Sequence, residues 1–437
     1  MHNKQEEPKL SKDLSSTSEP NRKSSTSKTT IRSGPAILVA AAFVGPGTVL
    51  TASKAGAQFG FSLLWAVVFS VIATVALQEM AARLGIVTKS GLAESIRVTT
   101  SNQWARFTVI ALVLSAILLG NCAYQTGNIT GAAAGLEILS PLGIKGWSTL
   151  IGIIAAAIIM IGRADILKGS LTFLVAMMGL LFLVSAIFCK PSINELFEGL
   201  VPSIPAGSEW LLIALIGTTV VAYNLFLHAS AAATFWNDSK DTKSSIRFSL
   251  TDTVLSVSIG GAITAAILIT AAMTFPERQE IAHVKEVAGQ LEPMLGQWAE
   301  YAFAVGILAA GLTSSITAPI AAAFATAGCY GWDARLSNWR LKAVSLGVIA
   351  VGLGFAFKFE KSPAETIVFA QVANGLLLPV IVAFLLFTMN QEKVMGKFKN
   401  RLFTNLLGIV ILLVTGLMVV KNFRGAWIGL SKLMGAE

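Results

Sequence analysis

The residues best placed to do chemistry are polar groups and helix breakers set inside long apolar runs. Gly45-Pro46-Gly47 falls in the middle of GPAILVAAAFVGPGTVLTASKAGAQFGF. Proline removes a backbone donor and clashes with the preceding turn, and each glycine costs about 1 kcal/mol in a helix interior. At bilayer depth a broken helix is tolerated only where it lines a cavity or packs within protein. In transporters such breaks mark the substrate site. A second run, WLLIALIGTTVVAYNLFLHASAAATFW, carries Gly217, Thr218 and Thr219, then Tyr223, Asn224 and His228. Polar residues within a span face the bundle interior, but this run has no proline and a break in it is less legible. Thr313, Ser314, Ser315 and Thr317, with Pro319, make one side of a third run polar. They can line an aqueous path or hydrogen-bond between helices.

Other chemistries find no support. Cys122, Cys189 and Cys329 sit in separate apolar segments, and His2, His228 and His283 are scattered. There is no CxxC, no zinc spacing, no nucleophile–base pair and no cofactor motif. Composition points to the bilayer. Only 13% of the 437 residues are charged and 54% are hydrophobic, against about 25% charged in a soluble domain. So few charges cannot cover a water-facing surface. The net charge of +9 is explained by basic loops on one membrane face, without a nucleic-acid partner.

The elements that must position these residues are membrane-spanning helices. Runs suited to helices lie at 34–58, 61–84, 104–138, 147–162, 168–189, 210–235, 248–275, 298–328, 341–357, 364–388 and 402–421. Most reach the roughly 20 residues needed to cross hydrocarbon. Residues 1–31 are polar and read as a disordered cytoplasmic tail, 32–401 as the core, and 402–437 as a last helix with a short interfacial tail carrying Trp427. Lys and Arg recur on alternate loops, among them Arg83, Lys89, Lys243, Arg335, Lys397 and Arg401. The opposite loops are acidic, with Glu195, Glu198, Glu280, Glu286 and Glu292. This predicts a cytoplasmic N-terminus and an outside C-terminus. The polar start, without a cleavable signal, fits a bacterial inner membrane. Glu79 and Arg83 have i, i+4 spacing for an ion pair.

These segments resemble the NRAMP divalent-metal transporters. GPGTVLTASKAGAQFGF is similar to that family's DPGN…AGA…QFG stretch, and LQEMAARLGIVTKSGLAE to the end of its second helix. VVAYNLFLHA is similar to its MPHNLYLHS segment, SIRFSLTD to its seventh-helix entry and AAGLTSSITAPIAA to its eighth helix. QVANGLLLP with LLFTMNQEKVMGKFKN resembles its tenth helix and the following loop. The blocks keep family order across nearly the whole chain. The resemblance implies an all-α, leucine-transporter-like fold. Helices 1–5 and 6–10 would be inverted repeats around a midplane site, followed by one extra helix, and the mechanism would be alternating access.

The departures fall on the ligands. Gly45, Thr48 and Val221 stand where the family has its metal-binding Asp, Asn and Met. Ala222 and Tyr223 replace its proline and proton-linked histidine, and Gln125 and Asn128 replace acidic residues of a proton path. The family's GDLQ becomes Thr51-Ala52-Ser53-Lys54. His228 matches a second histidine, Gln371 a residue near the ion and Asp252 an acidic position near the inner gate. The expected substrate set is therefore Gly45, Gly47, Thr48, Val221, Ala222, Tyr223, Asn224 and Gln371. The expected gating and pathway residues are Lys54, Gln125, Asn128, His228, Asp252, Thr313 and Ser314.

A neutral site cannot replace the hydration of a bare divalent ion without a cost of many kcal/mol. High-affinity transition-metal binding is not expected. A hydrated or weakly bound ion such as Mg²⁺, which sheds water reluctantly, is compatible with it. So is a non-metal solute with a carboxylate or other anionic group, attracted by half-helix N–H groups at the break and by Lys54. A scaffold or sensor without transport is the third reading. Phenols titrate near pH 10 and amides not at all, so no proton symport is expected along these positions. The implied partners are a small cation or solute and the lipid bilayer; no oligomer is implied.

Overall fold

Apolar runs punctuated by glycine, proline and charged loops fold into helices that bury their small-residue faces and leave large apolar side chains outside. The computed structural model describes residues 44–99, 102–162, 168–236, 241–275 and 279–433. Helix α1 (Pro46–Phe59) begins on its proline, with Gly45 extended before it at φ −91° and ψ 175°. The missing proline donor is harmless at a helix start, and its fixed φ suits the first turn. Gly60, at φ +58°, turns the chain into a short 3₁₀ turn and then α2 (Leu64–Thr88). Next come the short amphipathic α3 (Leu92–Thr99) and the long α4 (Gln103–Leu139). The Asn102 side chain accepts hydrogen bonds from Trp104 N and Ala105 N and so caps α4. α5 (Ile144–Ile161), α6 (Lys168–Phe188) and the short α7 (Ile193–Gly199) follow.

The next span is broken. α8 (Glu209–Thr219) stops, Val220 and Val221 take φ/ψ of −91°/78° and −86°/118°, and α9 (Ala222–Phe235) resumes. The remaining helices are α10 (Thr242–Thr274), α11 (Ala299–Tyr330), α12 (Trp339–Lys358), α13 (Pro363–Met389) and α14 (Leu402–Leu433). Among the described residues ten stretches are long and apolar enough to cross a membrane; the first, Pro46–Thr88, contains both α1 and α2. α4 packs on α11 and α13, α1 on α10, α2 on α9 and α10, and α8 on α13. Phe107, Leu119, Ile153, Phe173, Leu255 and Leu413 are exposed on the helix exteriors, as a lipid-facing surface requires.

Three expectations change. α10 begins at Thr242, and Asp241 caps it by accepting from Lys243 N and Ser244 N. Asp252 therefore lies well inside the helix and does not open it. The last helix runs on to Leu433 instead of ending near 421. The span at 210–235 is two helices. The expected tail, residues 1–31, and the first part of the 34–58 run lie outside the described residues.

Candidate substrate site at the paired helix breaks

The start of α1 and the break between α8 and α9 meet. Thr48, in the first turn of α1, lies 2.8 Å (Oγ1 to Oγ1) from Thr218 in the last turn of α8. Gly47 faces the Gln371 amide of α13 so closely that a methyl group there would overlap it. Gly217 lets α8 approach the α13 backbone in the same way, and the Asn374 amide donates to the Gly217 carbonyl. Gly45 faces the Ser314 hydroxyl of α11 and the Tyr124 hydroxyl of α4. Tyr124 meets Tyr223 edge to face, centroids 5.5 Å apart, and both pack on Val221. Thr48, Val221, Ala222, Tyr223, Asn224, Ser314 and Gln371 are all buried.

Several polar atoms here lack partners. Both amide atoms of Asn224 and Oε1 of Gln371 are buried without a hydrogen bond among the described residues. An unmet buried polar group costs about 1–3 kcal/mol, and here such atoms lie on α9 and α13, the helices that pack around the Thr48–Thr218 contact. The available ligands are hydroxyl, amide and carbonyl oxygens. Among the described residues no group of three or more His, Cys, Asp or Glu could hold a metal ion.

The expected pathway residues divide. Gln125 donates from Nε2 to the Ser315 carbonyl at 3.1 Å, tying α4 to α11, and Asn128 is buried in the same helix. Thr313 spends its hydroxyl on the Ala309 carbonyl at 2.7 Å within α11, the interhelix-independent option. His228 shares a 3.3 Å contact with Thr253 of α10 and is fully buried. Asp252, next to Thr253, is half-buried. Lys54 lies about 13 Å beyond Gly45 along α1 and does not enter the site. Its Nζ pairs with Glu365 of α13 at 3.2 Å. The expected Glu79–Arg83 pair forms, at 2.8 Å.

Sequence reasoning missed Tyr124 and did not place Thr218 in the site. Tyr124 is one of only four tyrosines, and a lone phenol inside an apolar run was the available signal. It also missed Gln290, in the 3₁₀ segment Val284–Leu291. Gln290 donates to Ser53 at 2.7 Å and accepts from Thr270 at 2.9 Å, while its carbonyl accepts from Ser185 at 2.9 Å. Beside this segment a cavity of about 630 Å³ opens between the ends of α4 and α13. Glu137, Glu286, Glu292, Glu300 and Glu360 outnumber Lys285 and Lys361 in its lining.

A proline-led helix start facing a broken span at a buried polar centre is the arrangement expected of an integral membrane transporter of the broken-helix kind. The family model "Natural resistance-associated macrophage protein-like" matches residues 36–423, and the chain belongs to that family. The divalent metal cation transporter MntH of Bradyrhizobium diazoefficiens is 30% identical, over 90% of this chain and 88% of its own length. The natural resistance-associated macrophage protein 2 homolog of Dictyostelium discoideum is 28% identical, over 90% of this chain and 63% of its own. A crystal structure of a variant of the Eremococcus coleocola manganese transporter superposes with a TM-score of 0.72 at 23% identity, over 97% of this chain and 95% of that one. The fold is accordingly the all-α, leucine-transporter-like one.

Proposed function

We propose that the chain transports a divalent cation that crosses the midplane hydrated or weakly bound, as Mg²⁺ would, without proton coupling. The observation that carries this is the set of buried polar atoms without a partner among the described residues: both amide atoms of Asn224, at the start of α9, and Oε1 of Gln371 on α13. They accompany the Thr48–Thr218 hydroxyls, and among the described residues no group of three or more His, Cys, Asp or Glu could hold a metal ion. Neutral oxygens can hold waters of a hydrated ion but cannot replace the whole shell of a transition metal. The relatives named as divalent metal transporters support a cation as cargo, and the acidic cavity beside Val284–Leu291 would concentrate one. In this reading the N-terminus is cytoplasmic, the acidic cavity faces outside, and the protein resides in a bacterial inner membrane. Residues 32–401 are the transporting core, and transport, not catalysis, is the activity.

A second reading, a non-metal solute with an anionic group, is favoured by one observation. α1 and α9 both begin at the breaks, so two positive helix ends point at the site. Purified protein in liposomes separates the two. Saturable Mg²⁺ or Mn²⁺ uptake is the expected result. No flux of any divalent ion, together with thermal stabilisation by a carboxylate solute, would replace the first reading with the second. Neither flux nor stabilisation would leave a scaffold.

A further inference from the structure

We propose that a basic cleft on the opposite face from the acidic cavity binds a phosphate-bearing anion, the headgroup of an anionic membrane lipid. The cleft has a volume of about 620 Å³ and lies between α2, the start of α10 and the loop leading into α14. Arg83, Lys243, Lys397, Lys399 and Arg401 line it, and Glu79 is the one carboxylate in the lining.

Arg83 builds the cleft and does not serve the ligand. Its Nε and Nη2 donate to the Glu79 carboxylate at 2.8 and 3.1 Å. Its Nη1 donates to the Phe398 carbonyl at 2.7 Å and its Nη2 to Asn400 Oδ1 at 2.8 Å. Asn400 in turn donates to Asn405 of α14 at 2.9 Å. Every oxygen of Glu79 is thus spent on Arg83, and the loop 396–401 is pinned to α2. That pinned loop holds Lys397, Lys399 and Arg401 around the cleft, with Lys243 on the α10 side. Lys399 meets Glu392 at 3.6 Å, and that carboxylate is 82% exposed, so water screens the pair. Lys243, Lys397 and Arg401 form no ion pair with any described carboxylate. Lys243, Lys397 and Arg401, gathered in one concavity without a paired carboxylate among the described residues, call for an anion from outside the chain. Several ammonium groups and a guanidinium are the donors that phosphate takes.

The surroundings favour a lipid over a soluble phosphate. Leu402 and Phe403, directly after Arg401, are each 77% exposed, and Phe248 and Leu255 are exposed along α10. These apolar faces offer a place for acyl chains once the headgroup sits in the cleft. The cleft also lies on the face with the basic loops, where anionic lipid meets juxtamembrane Lys and Arg.

Native mass spectrometry and thermal melting of the full-length protein in detergent test this. The probes are phosphatidylglycerol, phosphatidylcholine and sn-glycerol 3-phosphate. Phosphatidylglycerol is expected to stay bound and to raise the melting temperature, and rising salt should weaken it. Its apparent affinity should fall about fivefold for each charge removed in Lys243→Gln and Arg401→Gln. Arg335→Gln, an exposed basic position outside the cleft, should leave it unchanged. Equal binding of phosphatidylcholine, or an equal loss in Arg335→Gln, would overturn the proposal. Full stabilisation by glycerol phosphate, with no further gain from the lipid, would keep the anion site and assign its source to soluble phosphates. All three substitutions are on exposed side chains, so loss of binding would not come from failure to fold.

Discussion

Asn224 shows most directly how this site departs from a structural core. Its amide is fully buried and uses neither donor nor acceptor among the described residues. If its role were packing, Leu at 224 would cost little. If its role is to meet the cargo, Leu would separate stability from activity. Asn224→Leu is expected to leave the melting temperature unchanged or to raise it, because an unmet buried polar group worth about 1–3 kcal/mol is removed. Uptake is expected to fall about tenfold, the equivalent of one lost ligand of about 1.4 kcal/mol. A parallel loss of stability and uptake would return Asn224 to a structural role. Lys54 offers a test of the proposed cargo through its charge. The Glu365 partner is 42% exposed in its side chain, so the pair adds at most about 1 kcal/mol to stability. Under the proposed function, a fixed positive charge on α1 opposes a passing cation and attracts an anion. Lys54→Gln should raise divalent cation uptake and lower that of an anionic solute, read as the change in uptake rate at fixed protein content.

At the scale of elements, two devices stand out. The breaks themselves arise differently. Pro46 starts α1 by its own chemistry, whereas Val220 and Val221 leave the helix because α8 and α9 each pack elsewhere, α8 on α13 and α9 on α2. Gly47→Ala tests how tightly the breaks are fitted. The added methyl meets the Gln371 amide, so about 1–3 kcal/mol of stability should be lost with a stronger fall in uptake. The second device is the segment Val284–Leu291, which Gln290 fastens to α1, α6 and α10 through Ser53, Ser185 and Thr270. Gln290→Leu would leave Ser53 and Thr270 facing an apolar side chain. A drop of about 1–3 kcal/mol is expected in denaturant or thermal unfolding, together with faster labelling of a cysteine placed at Ser53 from the acidic-cavity side.

For the molecule as a whole, the prediction concerns protons. Along the breaks the polar groups are hydroxyls and amides, and the nearest imidazole, His228, is buried against Thr253. Uptake into liposomes containing a pH-sensitive dye should proceed without acidification. His228→Gln should not change the dependence of uptake on pH. Acidification that disappears in His228→Gln would show a proton path through that residue and end the uncoupled reading.

Much of this was written locally in the chain. Hydropathy set the helices, Gly45-Pro46-Gly47 set the start of α1, and Glu79–Arg83 followed from i, i+4 spacing. Residue type alone also made the site neutral, since Gly45, Thr48 and Val221 carry no charge wherever they are placed. What the tertiary structure decided were contacts between distant segments. Thr48 meets Thr218, 170 positions away; Lys54 turns to Glu365, 311 away; Gln125 reaches Ser315, 190 away. Tyr124 enters the site from a helix that sequence reasoning assigned only to the pathway. The α8–α9 break has no proline to announce it, and the preference of Val for extended structure depends on its context. Gly217 and the β-branched run 218–221 weaken the helix locally, but packing of the two half-helices on different neighbours is what opens it, and that force acts between elements.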